Sequence, residues 1–144
     1  MGTAGLDFPV ISADGHIDME WLPTDLFVSE APDAFRTRVP AMTATPNGNE
    51  WTYEGGFVAN PTKERHWDAP TFDRMEATGL YRDAAEGKLR PGTPELRLGD
   101  QDLDGVAGEV IYGILMLDRF MAHDQEALAL CFHIYNEWVA DFCH

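Results

Sequence analysis

The spacing of apolar and polar residues changes several times along the chain. Val10-Ile11-Ser12-Ala13 is a short, mostly apolar run closed by Asp14 and Gly15, the pattern of a buried strand that breaks into a loop. Residues 41–54 alternate instead: Thr43 and Thr45 with Met42 and Ala44, then Trp51 and Tyr53 with Thr52 and Glu54. Pro46-Asn47-Gly48-Asn49 lies between them, and Asn-Gly predicts a β-hairpin, which Gly55-Gly56 would end. A two-stranded hairpin is marginal alone, so it is expected to pack beside the mouth of the first strand. Thr93 as cap and Pro94 at the first helical position start a helix. Leu96, Leu98 and Leu103 are its expected apolar face, and Gly105 its end. A strand follows at Glu109–Tyr112, reaching back to Ala107 and on towards Leu115. From about Asp124 onward, Ala127, Cys131, Ile134, Trp138 and Phe142 recur at three- and four-residue steps. Leu128, Leu130, Tyr135 and Val139 widen that stripe into the buried face of an amphipathic helix.

Between these elements the pattern is irregular. Pro23-Thr24-Asp25-Leu26-Phe27 suits a first helical turn, and Ala31–Arg36 a second short helix. Residues 57–71 and 83–93 read as loop, with a short helix over 72–80 capped by Thr71. A long irregular excursion between regular units is usually functional. The order strand, excursion, helix, strand, helix predicts a parallel sheet with crossover connections. Two parallel strands want neighbours on both sides, and the last helix meets no stop signal. Both features predict that the chain stops before its fold is complete.

Composition narrows the class. The chain has 144 residues, 44% apolar and 11% aromatic, enough for one globular domain. No apolar run approaches the roughly 18 residues of a membrane span, and no basic leader precedes an apolar one, so a cytoplasmic protein off the membrane is expected. The 25 acidic residues against 10 Lys and Arg disfavour nucleic acid as a partner and favour solubility, but name no substrate. Cys131 and Cys143 fall in one predicted helix about 18 Å apart, too far for a disulfide.

The candidate chemistry sits where the first strand ends. Asp14, His16 and Asp18 are three possible metal ligands within five residues. Along an extended backbone, Asp14 and His16 share a face with their Cα atoms roughly 7 Å apart. A carboxylate oxygen and an imidazole nitrogen can then converge on one ion at about 2 Å each. Gly15 between them lets the backbone turn. A polar turn closing a strand is the alternative on these residues alone.

Longer stretches resemble a known family. Ile11-Ser12-Ala13-Asp14-Gly15-His16, with Asp25-Leu26-Phe27 downstream, resembles the opening of amidohydrolase-related proteins in the metal-dependent hydrolase superfamily. Arg97-Leu98-Gly99-Asp100-Gln101-Asp102-Leu103-Asp104-Gly105-Val106, followed by Glu109-Val110-Ile111-Tyr112, resembles that family's helix and second barrel strand. Tyr135-Asn136-Glu137-Trp138 with Phe142-Cys143 resembles its next helix.

The resemblance implies an α/β fold: an incomplete (β/α)8 TIM barrel comprising the first two β/α units. A β-hairpin insertion would follow strand 1. Residues 1–144 would be the N-terminal part of one barrel domain, with the insertion at about 19–92. It implies one divalent metal, zinc or alternatively manganese, held by Asp14 and His16, with Asp18 as the further candidate. Many relatives carry His-x-His, in which register His16 would pair with Asp18. The acid-x-His form, Asp14 with His16, is common in decarboxylase-like members.

The activity so implied is hydrolysis of a C–N or C–O bond in a small-molecule substrate by a metal-activated water. Non-oxidative decarboxylation of an aromatic acid is the alternative. Catalytic residues and the remaining ligands are expected beyond residue 144, so this chain alone is expected to be inactive. The rival from another class is a non-catalytic α/β interaction protein, and self-association is open in either case.

Other candidates have simpler readings. Glu20 and Trp21 read as loop packing, His66 as a surface residue, and Asp100, Asp102 and Asp104 as a solvated helix face. His133 and Glu137 have ligand spacing but lie on an outer helix. Tyr135 and Trp138 read as core.

Overall fold

The computed structural model describes residues 8–46, 48–59, 86, 90–115 and 117–144. The first strand, β1 (Val10–His16), leads through a 3-10 turn (Met19–Trp21) to the five-residue helix α1 (Leu26–Glu30). Strands β2 (Ala41–Thr45), β3 (Gly48–Tyr53) and β4 (Gly56–Ala59) follow. After a 3-10 turn at Arg90–Gly92 come helix α2 (Pro94–Asp104) and strand β5 (Val106–Tyr112). Helices α3 (Leu117–Met121) and α4 (Gln125–Phe142) complete the described elements. The predicted helix over 72–80 and His66 lie outside the described residues.

The strands form two sheets. Among the described residues β1 and β5 pair in parallel with each other alone, while β2, β3 and β4 form an antiparallel sheet. The hairpin register runs from Ala41 opposite Thr52 to Thr45 opposite Gly48, as the alternation predicts. Trp51 and Tyr53 fall on the buried side. The third strand was expected to be loop. It arises because Glu54 (φ 50°) and Gly55 (φ 76°) both take left-handed backbone, so the chain reverses at once and pairs Tyr53 with Gly56.

Two further expectations are corrected. The stretch 31–36 is a succession of turns, with Phe35 N–H bonded to Pro32 O and Arg38 N–H to Phe35 O; neither bond continues into a helix. In α2, Leu98 and Leu103 are 60% and 68% exposed and do not form a buried face. Arg97 and Gln101 face the sheet instead, both bonded to Glu109 of β5. The polar side of α2 turns inward because a strand carboxylate needs partners. The predicted Gly105 stop is present, left-handed at φ 71° with its N–H on Asp102 O and Gln101 O.

The core lies past the carboxyl ends of β1 and β5. It gathers Ile17, Met19, Leu22, Leu26 and Phe27 after β1, Trp51 and Tyr53 from the hairpin, and Ile114, Leu117 and Met121 after β5. Against these pack Ala127, Leu128, Cys131, Ile134 and Tyr135, one stripe of α4. The Phe27 ring meets Trp51 edge-on at 5.8 Å. Burial pushes the Cys131 thiol up to about 12, consistent with a packed thiol. No described helix is long and apolar enough to cross a membrane.

Polar contacts hold this core to its surroundings. Arg38 grips Asp124 through Nε and Nη2 at 2.9 and 2.8 Å and reaches Glu126 at 3.0 Å. Asp124 also accepts the Ala127 N–H, capping α4. At the other end of the core, the Tyr135 hydroxyl lies 3.0 Å from Tyr112 O and 3.4 Å from Ile17 O. One phenol therefore bridges the ends of both parallel strands.

Two predictions follow from these contacts. Tyr135→Phe leaves the ring in place but removes the donor to both carbonyls. It should lower unfolding free energy by about 1 kcal/mol, read as a lower urea midpoint at an unchanged slope. Arg38 holds the Asp124 carboxyl down from an ordinary 3.8 to about 2. That contribution is complete above the higher value and disappears as pH falls through the lower one. The stability gap between wild type and Asp124→Asn should therefore narrow across that acid window; a gap independent of pH would contradict it.

Candidate functional site

The parallel ladder is irregular where the candidate ligands sit. Ser12 pairs with Glu109 and Gly15 with Ile111, so Ala13 and Asp14 stand opposite the single Val110. This is a β-bulge, and bulges re-aim the side chains beside them. Asp14 and His16 nevertheless come together: His16 Nε2 lies 3.4 Å from Asp14 Oδ1, with the side chains 25% and 92% exposed respectively. Two donors about 2.1 Å from a tetrahedral ion also stand about 3.4 Å apart. A direct charge-assisted hydrogen bond would be shorter, about 2.7–2.9 Å.

The other ring nitrogen sharpens the point. His16 Nδ1 lies 3.3 Å from the Gly113 carbonyl, which can only accept, so Nδ1 is the protonated nitrogen in that contact. In the neutral ring Nε2 then presents a lone pair to the Asp14 carboxylate. Two acceptors facing each other are favoured by a donor or a cation placed between them. A backbone carbonyl holding Nδ1–H while Nε2 points at a carboxylate oxygen is an arrangement suited to ligation.

The floor of the site is a charged network that the sequence reading did not single out. Glu109 accepts from Arg97 Nη2 at 2.6 Å, from Arg97 Nε at 2.8 Å and from Gln101 at 2.9 Å. Hydrogen bonding to Arg97 holds the Glu109 carboxyl below its usual range against the opposing effect of burial. Arg97 also donates to Pro91 O at 3.1 Å and to His16 O at 3.3 Å. A sequence signal existed, since Glu109 is a charged residue inside an otherwise apolar strand and such a residue needs a buried partner.

Asp18 is placed differently. It lies beyond the buried Ile17 and precedes the 3-10 turn, where its backbone carbonyl accepts from Trp21 N–H. Its Oδ1 is buried with no hydrogen-bond partner among the described residues. Burial pushes the Tyr135 phenol up, and the Asp18 carboxylate adds to that shift. Among the described residues no three His, Cys, Asp or Glu side chains form a metal-binding group; Asp14 and His16 stand as a pair. His133 and Glu137, 4.0 Å apart, are 70% and 75% exposed. The Tyr112 ring lies 6.0 Å from that of His16, half-exposed at the mouth.

Comparison with known proteins adds to this geometry. The chain is similar in structure to an amidohydrolase from Mycobacterium avium subsp. paratuberculosis K-10. The TM-score is 0.59 and the identity 18%, over 94% of this chain and 38% of that one. The fold is amidohydrolase-like, and partial. No family model and no curated protein matches the chain. The chain spans well under half the length of that protein's chain.

Gly15 provides a test of the floor. A Cβ on Gly15 would overlap Glu109 Oε1 and lie 2.6 Å from Cδ and 2.7 Å from Cγ. Three hydrogen bonds hold that side chain, so it cannot swing aside without breaking the Arg97 pair. Gly15→Ala should therefore cost about 1–3 kcal/mol of stability, measurable by urea unfolding. A variant as stable as wild type would show that the floor yields freely.

Proposed function

We propose that this chain supplies the first two metal ligands of an amidohydrolase-type hydrolase acting on a small molecule at a C–N or C–O bond. Asp14 and His16 are the ligands in this reading, with zinc as the leading ion and manganese as the alternative. The observation that carries it is the 3.4 Å approach of Nε2 to Oδ1 while Nδ1 faces the Gly113 carbonyl. When bound, a divalent ion of this kind supplies an activated water at neutral pH.

The chain's own residues do the preparatory work. Gly113 O fixes the ring tautomer, the bulge brings Asp14 up to the ring, and Tyr112 flanks the site. The proposed architecture is the first two β/α units of a TIM barrel, whose later strands would bring further ligands. A catalytic zinc needs about three protein ligands, so the 144-residue chain alone is proposed to bind weakly and turn over no substrate.

A second reading has its own observation. Ile11, Val110 and Tyr112 are 57%, 44% and 50% exposed, and Leu98 and Leu103 are more exposed still. Apolar surface of this kind suits a non-catalytic protein that associates through its sheet and helix. Equilibrium dialysis of the 144-residue chain against zinc separates the two. Asp14→Asn and His16→Ala should each lower bound zinc at least about tenfold with the helical signal preserved. Zinc uptake unchanged in both variants would sink the ligand assignment.

A further inference from the structure

We propose that Arg97 and Glu109 are positioning residues for the Asp14–His16 pair, setting the backbone and ring orientation of His16 from behind the strand. The inference rests on the reading of that pair as metal ligands, and it concerns groups that never touch the ion.

Two contacts reach one stretch of β1, and further hydrogen bonds hold the contacting side chains in place. Glu109 packs on Gly15, where a side chain as small as methyl would strike it. Arg97 Nη2 donates to the carbonyl of the next residue, His16, at 3.3 Å. The same guanidinium is anchored by Glu109 on one side and by Pro91 O on the other. Gln101 holds the second Glu109 oxygen at 2.9 Å. The backbone on either side of the Gly15–His16 peptide is thus held, by contact at Gly15 and by a hydrogen bond at His16. With the backbone set, the His16 ring reaches Gly113 O through Nδ1, which leaves Nε2 directed at Asp14.

The chemistry of the pair suits this task better than it suits stability. A buried ion pair gives little net stabilisation over an apolar pair of equal volume. What it supplies here is a planar fork with donors left over: two N–H groups grip Glu109 while others reach Pro91 O and His16 O. A lysine would keep the charge near Glu109 but, as a point donor on a flexible stem, could not hold all three acceptors in fixed geometry. Side-chain partners of this kind, one step removed from a ligand, are worth about 10–100-fold in metal affinity.

The test uses the full 144-residue chain, metal-free and then titrated with zinc. Ring 15N chemical shifts of His16 at alkaline pH report whether Nδ1 or Nε2 carries the proton. Two variants are compared with wild type. Arg97→Met with Glu109→Met removes the pair without leaving a lone buried charge. Arg97→Lys keeps the charge and loses the fork. Wild type should show one tautomer, protonated at Nδ1. Both variants should keep a cooperative unfolding transition, yet show averaged ring shifts and zinc affinity reduced about tenfold or more.

Wild-type ring shifts and zinc affinity in folded variants would overturn the proposal and leave the pair a packing device. If the double variant does not fold, Arg97→Lys decides the question by the same two readings. If Asp14→Asn and His16→Ala leave zinc uptake unaltered, the metal reading fails on its own. The metal-free tautomer comparison still decides whether Arg97 sets the His16 ring.

Discussion

Much of this structure depends on one charged residue placed in a strand. Glu109 sits in β5 with its side chain 12% exposed, and a carboxylate in that position must be neutralised. The partner is Arg97, and that choice determines how α2 lies. Its Arg97–Gln101 side turns to the sheet, and Leu98 and Leu103 turn to solvent. The same pair demands a glycine at position 15 and offers a donor to His16 O. Strand, helix and site are therefore connected through a single guanidinium. Removing either partner would leave the other charge unpaired in a largely buried position, which is destabilising.

The opposite side of the same strand ends is held by apolar burial. The core lies over the carboxyl ends of β1 and β5, and Tyr135 anchors it to Tyr112 O and Ile17 O. Gly113, whose carbonyl takes the His16 ring, follows Tyr112 directly. The ring therefore depends on both supports, Arg97 through its own backbone and Tyr135 through the neighbouring strand. The hairpin sheet contributes Trp51 and Tyr53 to the shared core. What looks like an excursion along the sequence is part of the platform for the strand mouth.

Several parts of this arrangement were legible in the residues. The hairpin, α4 and the approach of Asp14 to His16 were readable because each rests on a local rule: turn chemistry, helical period, and a shared strand face for residues two apart. The third strand was missed because its signal lies in Glu54, a non-glycine in left-handed backbone, which propensity does not anticipate. The orientation of α2 was missed for a different reason. Three leucines within one helix suggest a buried face, but here a tertiary ion pair overrode the apolar signal. The bulge at Ala13 and Asp14 could not be read either, since it is a property of register against β5. A contact between residues 81 apart in sequence, such as Arg97 with His16, leaves no periodicity to detect.

The electrostatics of the mouth bear on what it can hold. The chain carries a formal charge of −15, which raises the local concentration of cations at its surface. Arg97, which donates to His16 O at the strand end, is committed to Glu109. Asp14 and the unprotonated face of His16 thus meet as two acceptors. Repulsion between acceptors at 3.4 Å is relieved by a donor or cation admitted between them. A divalent ion in that place, as proposed above, would satisfy both acceptors and retain open positions for other donors. The proposed metal reading therefore rests on the facing acceptors at the strand mouth as well as on the likeness in fold.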